Sequence, residues 1–417
     1  MKKILFIAPR FHTNQVFAIK SLIRNGVEVR FLSQYAHKSE NYEDITPIII
    51  GYSLLFNSIY NLLLKYFSSL ESFDFSRQYG IPPIFKIIIE NYKFNPDLVI
   101  LRDYSVYMYL CLIVMKIFRK KCIVYTQQPF YDRKLFFPDC LKNILKGLLY
   151  DFHSLLCKYE TTPILGSDIN EEINVEKLAN SVLIDNDGLI KVNTHNIGPL
   201  GIIRTTFFVP FVIDKKNVAN MKKKRSSCYI KIIIVAEFQE RKKILEFLEI
   251  FKVLIQNGKM VHLTIIGNAK KVNNLRYLSK VLSYIEGNFM NDEVTIKTDL
   301  THHEVFNEYL LNDIFILPSV REPASYSVLE AMSCGLPVIC SSSNGIKNYI
   351  VHGKNGYIFD AENFFQLHNY LVALIENPPL LNEFGNNSLM LVENLYNSNN
   401  YYMNIKIIYN KLLNENL

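Results

Sequence analysis

The chain starts with a short apolar run, Ile4 to Ala8, and similar runs return along its length, separated by segments whose apolar residues recur every three or four positions. Runs of four to eight apolar residues predict buried strands, and the three-to-four spacing predicts amphipathic helices. In the first half the strand candidates are ILFIA from Ile4, VEVRFLS from Val27, DLVILR from Asp97, CIVYTQ from Cys122 and SVLI from Ser181. Helices are expected between them, from Gln15 to Asn25, closed by Gly26, and from Tyr104 to Arg119. The second half repeats the scheme with KIIIVA from Lys231, VHLTIIG from Val261, EVTIKT from Glu293, IFILPS from Ile314 and PVICSS from Pro337. Strands that alternate with helices and are apolar on both faces predict parallel sheets wound with helices, an α/β fold.

Between the halves lies FFVPFVIDKKNVANMKKKRSS, where a proline and a basic polar run follow the last apolar segment. This divides the chain into a Rossmann-like domain over 1–214, a linker over 215–228, a second Rossmann-like domain over 229–395 and a closing segment over 396–417. In that segment Met403, Ile405, Ile407, Ile408 and Leu412 stand among polar residues and predict a final helix. No repeat of solenoid period is visible.

Composition narrows the class. With 417 residues and 49% hydrophobic content, two large cores can be buried. The net charge of +7 is uneven: residues 1–217 carry 26 Lys and Arg against 20 Asp and Glu, and 218–417 carry 20 against 19. The first half is therefore the one expected to meet a membrane or an anionic acceptor. No helix-turn-helix pattern or aromatic-basic interleaving accompanies the charge, so nucleic acid is not an expected partner. Seven cysteines without C-x-x-C spacing fit reduced thiols in a cytoplasmic protein better than disulfides or a zinc site. MKKILFIAPRF has too short an apolar run for a signal peptide and reads as a first buried strand. PIIIGYSLLFNSIYNLLLKYF, from Pro47, is interrupted by Asn57, Asn61 and Lys65, which argues against a membrane-spanning helix. It fits either a helix packed in the first domain or an amphipathic helix at a membrane interface.

The densest chemistry lies at REPASYSVLEAMSCGLP, Arg321 to Pro337, directly after the apolar strand IFILPS. Ligands of open α/β sheets lie at the carboxyl ends of strands. Pro323 ends the strand, SVLEAMSC has helical composition, and Gly335 with Pro337 beyond it signals the helix end. The N–H groups near Ser325, Tyr326 and Ser327 then form a helix N-terminus able to hold phosphate oxygens. Glu330, in the first turns, can accept two hydroxyl hydrogen bonds such as a ribose diol offers, and Glu322 at the loop start can face a sugar.

These residues carry a resemblance. ILPSVREPASYSVLEAMSCGLPVICSSSNGIKNYIVHGKNGYIF resembles the donor site of retaining family 4 glycosyltransferases, which have the GT-B fold; Glu322, Glu330, Ala331, Met332, Gly335, Pro337 and Val338 match its Glu-x7-Glu pair and EAM-x-x-G-x-PV run. KIIIVAEFQERKKILEFLEIF is similar to the family's G-R-L-x-x-x-K-G pattern, with Lys242 at the lysine and Ala236 and Glu237 in place of the usual glycine and basic residue. Asn348 stands where the family often has an acidic residue. The resemblance implies two Rossmann-like domains facing a cleft, with the C-terminal helix crossing back to the first. It also implies that Glu330 binds the ribose, that Glu322 sits by the transferred sugar, and that Lys242 meets the donor phosphates, with Arg241 a candidate for the second charge. Sugar would pass from a nucleotide diphosphate to a hydroxyl acceptor with retention, without metal or cofactor, the nucleotide sugar being a substrate. The acceptor expected is a glycan or lipid-linked sugar of surface polysaccharide or glycolipid synthesis, handled in the cytoplasm with a peripheral contact on the inner face of the membrane. The departures leave open a non-catalytic nucleotide-binding or scaffold subunit, and the fold leaves open a sugar-nucleotide epimerase.

Candidates for the acceptor side lie at other strand ends: His12 in the loop Arg10 to Asn14, which lacks the family's glycines, then Arg102 and Asp103, and Thr126 to Gln128, with Gln127 foremost. The pair His302 and His303 precedes a helix without a third ligand at metal spacing and is expected to cap it.

Overall fold

The structure is a computed structural model that describes residues 1–36, 45–66, 80–102, 105–126, 151–152, 154–163, 189–192, 205–214, 229–320, 322 and 324–414. Asp103, Gln127, Gln128, the SVLI segment and the 215–228 linker lie outside the described residues. The fold forms two compact units, one drawn from Met1–Pro163, Val182–Phe211 and Ser398–Leu417, the other containing Val212–Asn397.

In the first unit the strands are β1 (Lys3–Ala8), β2 (Glu28–Ser33), β3 (Ile48–Ile49), β4 (Leu98–Arg102), β5 (Lys121–Tyr125), β6 (Tyr159–Thr162), β7 (Ile190–Val192) and β8 (Thr205–Phe208). They form one sheet in the order β3-β2-β1-β4-β5-β6-β8-β7, parallel except that β7 runs antiparallel to β8. The helices are α1 (Val16–Arg24), α2 (Leu54–Tyr66), α3 (Ile84–Phe94) and α4 (Val106–Ile117). The α4 helix starts on Ser105, whose Oγ accepts from Met108 N at 3.2 Å. It packs Tyr107, Met108, Cys111, Leu112 and Met115 against Leu5, Ile7, Val99, Leu101 and Val124 of the sheet. The chain builds outward from β1 to β3 and then returns to the other side of β1 with β4. The carboxyl ends of β1 and β4 thus form a topological switch point. The polar β6, Tyr-Glu-Thr-Thr, has no apolar signature, yet it is buried, with Thr206 Oγ1 donating to Glu160 at 3.2 Å.

The second unit holds β9 (Ile230–Val235), β10 (Val261–Gly267), β11 (Val294–Thr298), β12 (Ile314–Leu317), β13 (Val338–Ser341) and β14 (Gly356–Phe359). All pair in parallel in the order β11-β10-β9-β12-β13-β14. Its helices are α5 (Ile244–Gln256), α6 (Val272–Gly287), α7 (His302–Leu311), α8 (Tyr326–Ser333), α9 (Phe364–Glu376) and α10 (Pro378–Asn394). Ile232, Ile234, Leu263, Ile265 and Ile316 meet Phe247, Phe251 and Leu254 of α5 in the core. Here the strand order reverses at β9 and β12. After α8 the chain turns at Gly335, whose φ of +74° favours glycine, and a Cβ on Gly385 of α10 would sit 2.4 Å from the Gly335 carbonyl oxygen.

The last helix, α11 (Ser398–Asn414), belongs to the first unit. Tyr402 N donates to Ser21 Oγ of α1 at 3.2 Å, Arg24 to Ser398 Oγ at 3.4 Å and Lys121 Nζ to the Leu412 carbonyl at 2.9 Å. The five described cysteines are buried thiols, and burial pushes that of Cys340 up to about 12.

Candidate functional site

Two loops leave the switch point of the second sheet, one after β9 and one after β12, and each carries a predicted site residue. The first makes a single 3-10 turn, Glu240–Lys242, and hands over to α5 through Lys243, whose φ of 56° is a left-handed conformation that a side chain disfavours. The second brings Glu322 back over this turn. It is held by Val320 N donating to the Arg241 carbonyl at 2.8 Å and by Gly345 N donating to the Glu322 carbonyl at 2.9 Å. Asn344 props this loop from below, giving its amide to the Ser319 carbonyl at 3.0 Å and to Ser341 Oγ at 2.9 Å.

Both cations of the turn bind the same carboxylate oxygen: Arg241 donates to Glu322 Oε2 at 2.5 Å and Lys242 Nζ donates to it as well. The network continues from Arg241 Nε to Gln239 Oε1 at 2.9 Å and from Gln239 Nε2 to Glu237 Oε2 at 2.5 Å. Burial alone would raise the Glu322 carboxyl, but the Lys242 ammonium and then the Arg241 guanidinium outweigh it and hold the group below its ordinary value. Burial pulls the Lys242 ammonium below its ordinary value, and Glu322 acts against that shift. The Lys242 side chain is 7% exposed and that of Arg241 40%, so Arg241 is the freer to turn toward an arriving anion.

Glu330 lies one helical turn into α8 and is buried. Tyr309 OH donates to one of its oxygens at 3.0 Å and His302 Nε2 meets the other at 2.8 Å. A carboxylate oxygen has a second acceptor site, so both remain able to take a hydroxyl. Burial and then the Glu330 charge push the Tyr309 phenol well above its ordinary value, which keeps it a donor. The expectation that the histidine pair caps its helix is corrected: Thr301 caps it, in a capping box with Glu304, because a hydroxyl there reaches the free N–H groups better than an imidazole. His302 and Tyr309 are 28 and 21 positions from Glu330 and carry no local signal of the contact. At the start of α8, Ser325 and Ser327 share a hydroxyl contact of 2.7 Å, and the Tyr326 hydroxyl is spent on the Val212 carbonyl at 2.6 Å. What this end offers a ligand is therefore its first-turn N–H groups and two serine hydroxyls.

In the first unit His12 stands at the carboxyl end of β1, where its N–H and Arg102 of β4 both donate to Gln15 Oε1, at 3.1 and 3.3 Å. Beside them is Gln34, absent from the sequence-based candidates. Its N–H bonds the Pro9 carbonyl at 3.1 Å, and both polar atoms of its buried side chain have no hydrogen-bond partner among the described residues. A buried amide with nothing to bond is a costly feature unless a ligand completes it.

Two parallel α/β sheets, each with its ligand-facing loops at a switch point, define the GT-B class of glycosyltransferase fold. Solved structures agree: a glycosyltransferase from Rickettsia africae has a TM-score of 0.67 at 14% identity, covering 99% of each chain. HepE from Anabaena, solved in complex with UDP-glucose, has a TM-score of 0.64 at 12% identity, covering 98% of this chain and 99% of that one. Residues 215–389 match the family model "Glycosyl transferases group 1". Among curated proteins the capsular polysaccharide biosynthesis glycosyltransferase CapM of Staphylococcus aureus is 22% identical over 245 residues, which span 58% of this chain and 61% of CapM. Among the described residues no helix is long and apolar enough to cross a membrane, and no group of three or more His, Cys, Asp or Glu is placed to hold a metal ion.

Proposed function

We propose that the chain is a retaining glycosyltransferase that moves a sugar from a nucleotide-diphosphate sugar to a hydroxyl of a glycan or lipid-linked acceptor in surface polysaccharide or glycolipid synthesis, in the cytoplasm. The observation that carries this reading is the meeting of Lys242, Arg241 and Glu322 at the switch point of β9 and β12. In the reaction the bond between the anomeric carbon and the phosphate oxygen breaks, a bond from that carbon to the acceptor oxygen forms, and the acceptor proton passes to the leaving phosphate. Negative charge grows on the diphosphate as the bond breaks. Arg241, Lys242 and the N–H groups of α8 are the donors suited to it, and such groups lower a barrier most where water is excluded. Glu330, oriented by Tyr309 and His302, takes the ribose hydroxyls, and Glu322 carries the sugar end. Retention follows from front-face attack assisted by the leaving phosphate, as the family resemblance implies. His12, Arg102 and the open amide of Gln34 are the acceptor-side groups; UDP-glucose in HepE and the capsular role of CapM support the choice of donor and acceptor class.

Thermal unfolding of the purified chain with a panel of nucleotide sugars tests the donor, since a ligand at 100 times its Kd stabilises the native state by about 2.7 kcal/mol. Release of nucleoside diphosphate on adding membrane extract tests transfer. Stabilisation by a nucleotide sugar without release in extract supports a non-catalytic subunit instead, and no stabilisation by any donor removes the reading.

A further inference from the structure

The loop after β9 holds two polar side chains to which the transfer reaction gives no role, Glu237 and Gln239. Burial alternates along this loop: Ala236 and Phe238 are enclosed, while Glu237 and Gln239 are half-buried, so side chains two apart share the outer face. Phe238 roots the alternation against β10, where a Cβ on Gly267 would lie 2.7 Å from its ring. Gln239 then opens the 3-10 turn in extended backbone, its carbonyl accepting from Lys242 N at 2.8 Å. Its side chain reaches the other cation. Arg241 Nε donates to Gln239 Oε1 at 2.9 Å, and Gln239 Nε2 donates to Glu237 Oε2 at 2.5 Å.

The two ends of this relay fix its direction. A guanidinium only donates and a carboxylate only accepts, so the amide between them has one orientation; reversed, it would set N–H against N–H at Arg241 and oxygen against oxygen at Glu237. Arg241 is thereby held along one edge, at Nε by Gln239 and at Nη1 by Glu322. Two of its five N–H groups are used in this way, and the other three, on Nη1 and Nη2, have no partner among the described residues. Half-buried pairs add little to folding, so what the relay fixes is orientation. A long side chain that is already held loses less freedom when it takes a phosphate than one that must first be ordered. The Glu237 charge is also felt at Lys242, where it favours the ammonium.

We propose that Gln239 and Glu237 are positioning residues for Arg241: their relay aims the open N–H groups of the guanidinium at the donor diphosphate before it arrives. This rests on the reading of the β9–β12 switch point as a nucleotide-sugar site. A diphosphate that draws Arg241 away from Glu322 still meets a guanidinium held at Nε, and Glu322 is released to the sugar. The full-length chain is titrated calorimetrically with UDP, GDP and ADP, and turnover is read as nucleoside diphosphate released from UDP-glucose, GDP-mannose and ADP-glucose in membrane extract. Gln239→Leu, similar in size, breaks both bonds of the relay and is expected to weaken diphosphate affinity and kcat/KM on the order of tenfold, as for a hydrogen bond to a charged group. Glu237→Leu does the same, whereas Glu237→Gln, whose amide oxygen still accepts from Gln239, stays close to the parent. In an Arg241→Ala background Gln239→Leu has no further effect, because it acts through Arg241 alone. A loss of equal size with and without Arg241, which damage to the fold would produce, overturns the proposal, as does Gln239→Leu binding and turning over like the parent. If Lys242→Ala weakens binding in that same series, the reading of the site stands without the relay. No binding and no release with any of the three nucleotides removes both.

Discussion

Glu322→Ala is expected to be the most destabilising single change in the candidate donor site, and its cost comes from the partner it strands. In the native unit the Lys242 ammonium is almost fully enclosed, with Glu322 as its anion. Truncating one member of a buried pair typically costs about 3–5 kcal/mol, because the other charge stays buried without compensation. Arg241→Ala removes a partner whose side chain is 40% exposed, and exposed pairs contribute only about 0–1 kcal/mol. A gap of roughly 3 kcal/mol between the two variants follows, which is about a 150-fold difference in opening. Lys242→Met in the Glu322→Ala background removes the stranded charge and recovers most of the loss. Backbone hydrogen exchange at 232–235 and 314–317, the central strands of the second sheet, reads this unit separately from the first. The pH dependence carries a sign of its own. The carboxyl of Glu322 is held below its ordinary value, so its contribution is present above the unfolded value near 4.5 and is lost as pH falls through the folded one. The Lys242 ammonium is shifted down from 10.5, so the unfolded chain binds its proton more tightly and stability rises with pH as 10.5 is approached from below. Without Glu322 that rise begins at lower pH. Equal exchange in Glu322→Ala and Arg241→Ala, or no recovery in the double variant, would refute the reasoning.

Three further outcomes follow from the same geometry. Glu330→Ala weakens nucleotide binding more than Glu330→Gln, whose amide still reaches one ribose hydroxyl; equal affinity by titration calorimetry in the parent and both variants removes Glu330 from the site. Lys242→Ala lowers kcat/KM on the order of 10²-fold, the usual cost of losing one group that stabilises developing charge, and steady-state release of nucleoside diphosphate measures it. Gly385→Ala, which in most helices stabilises, is destabilising here by about 1–3 kcal/mol, because its methyl would press the Gly335 carbonyl; a Tm at or above that of the parent contradicts the packing.

The strands that form the centre of both sheets were legible because they are apolar on both faces: Ile4–Ala8 and Lys231–Val235 lie where alternation places them. The polar β6 and the three-residue β7 were not, since their strand character comes from pairing with β8 and not from side chains. At the site, a turn and a helix start were readable around Glu322 and Glu330, being local. The bonds of Glu330 to Tyr309 and His302, and of Glu322 to both cations, join segments brought together only by the parallel winding of the second sheet. Gln34 carried no signal at all; an uncharged residue after a strand gains meaning once its burial and its lack of partners are known.

The return of α11 to the first unit has a consequence for synthesis. In synthesis β1 through β8 emerge before the whole of Val212–Asn397, and only then comes the helix that bonds Ser21 of α1. At about 5–20 residues per second the first unit waits on the order of ten to forty seconds for this layer. The later unit is complete before α11 emerges and is free to reach its native state sooner. A truncation within α11 is therefore felt about 380 residues upstream, at the first helix of its own unit.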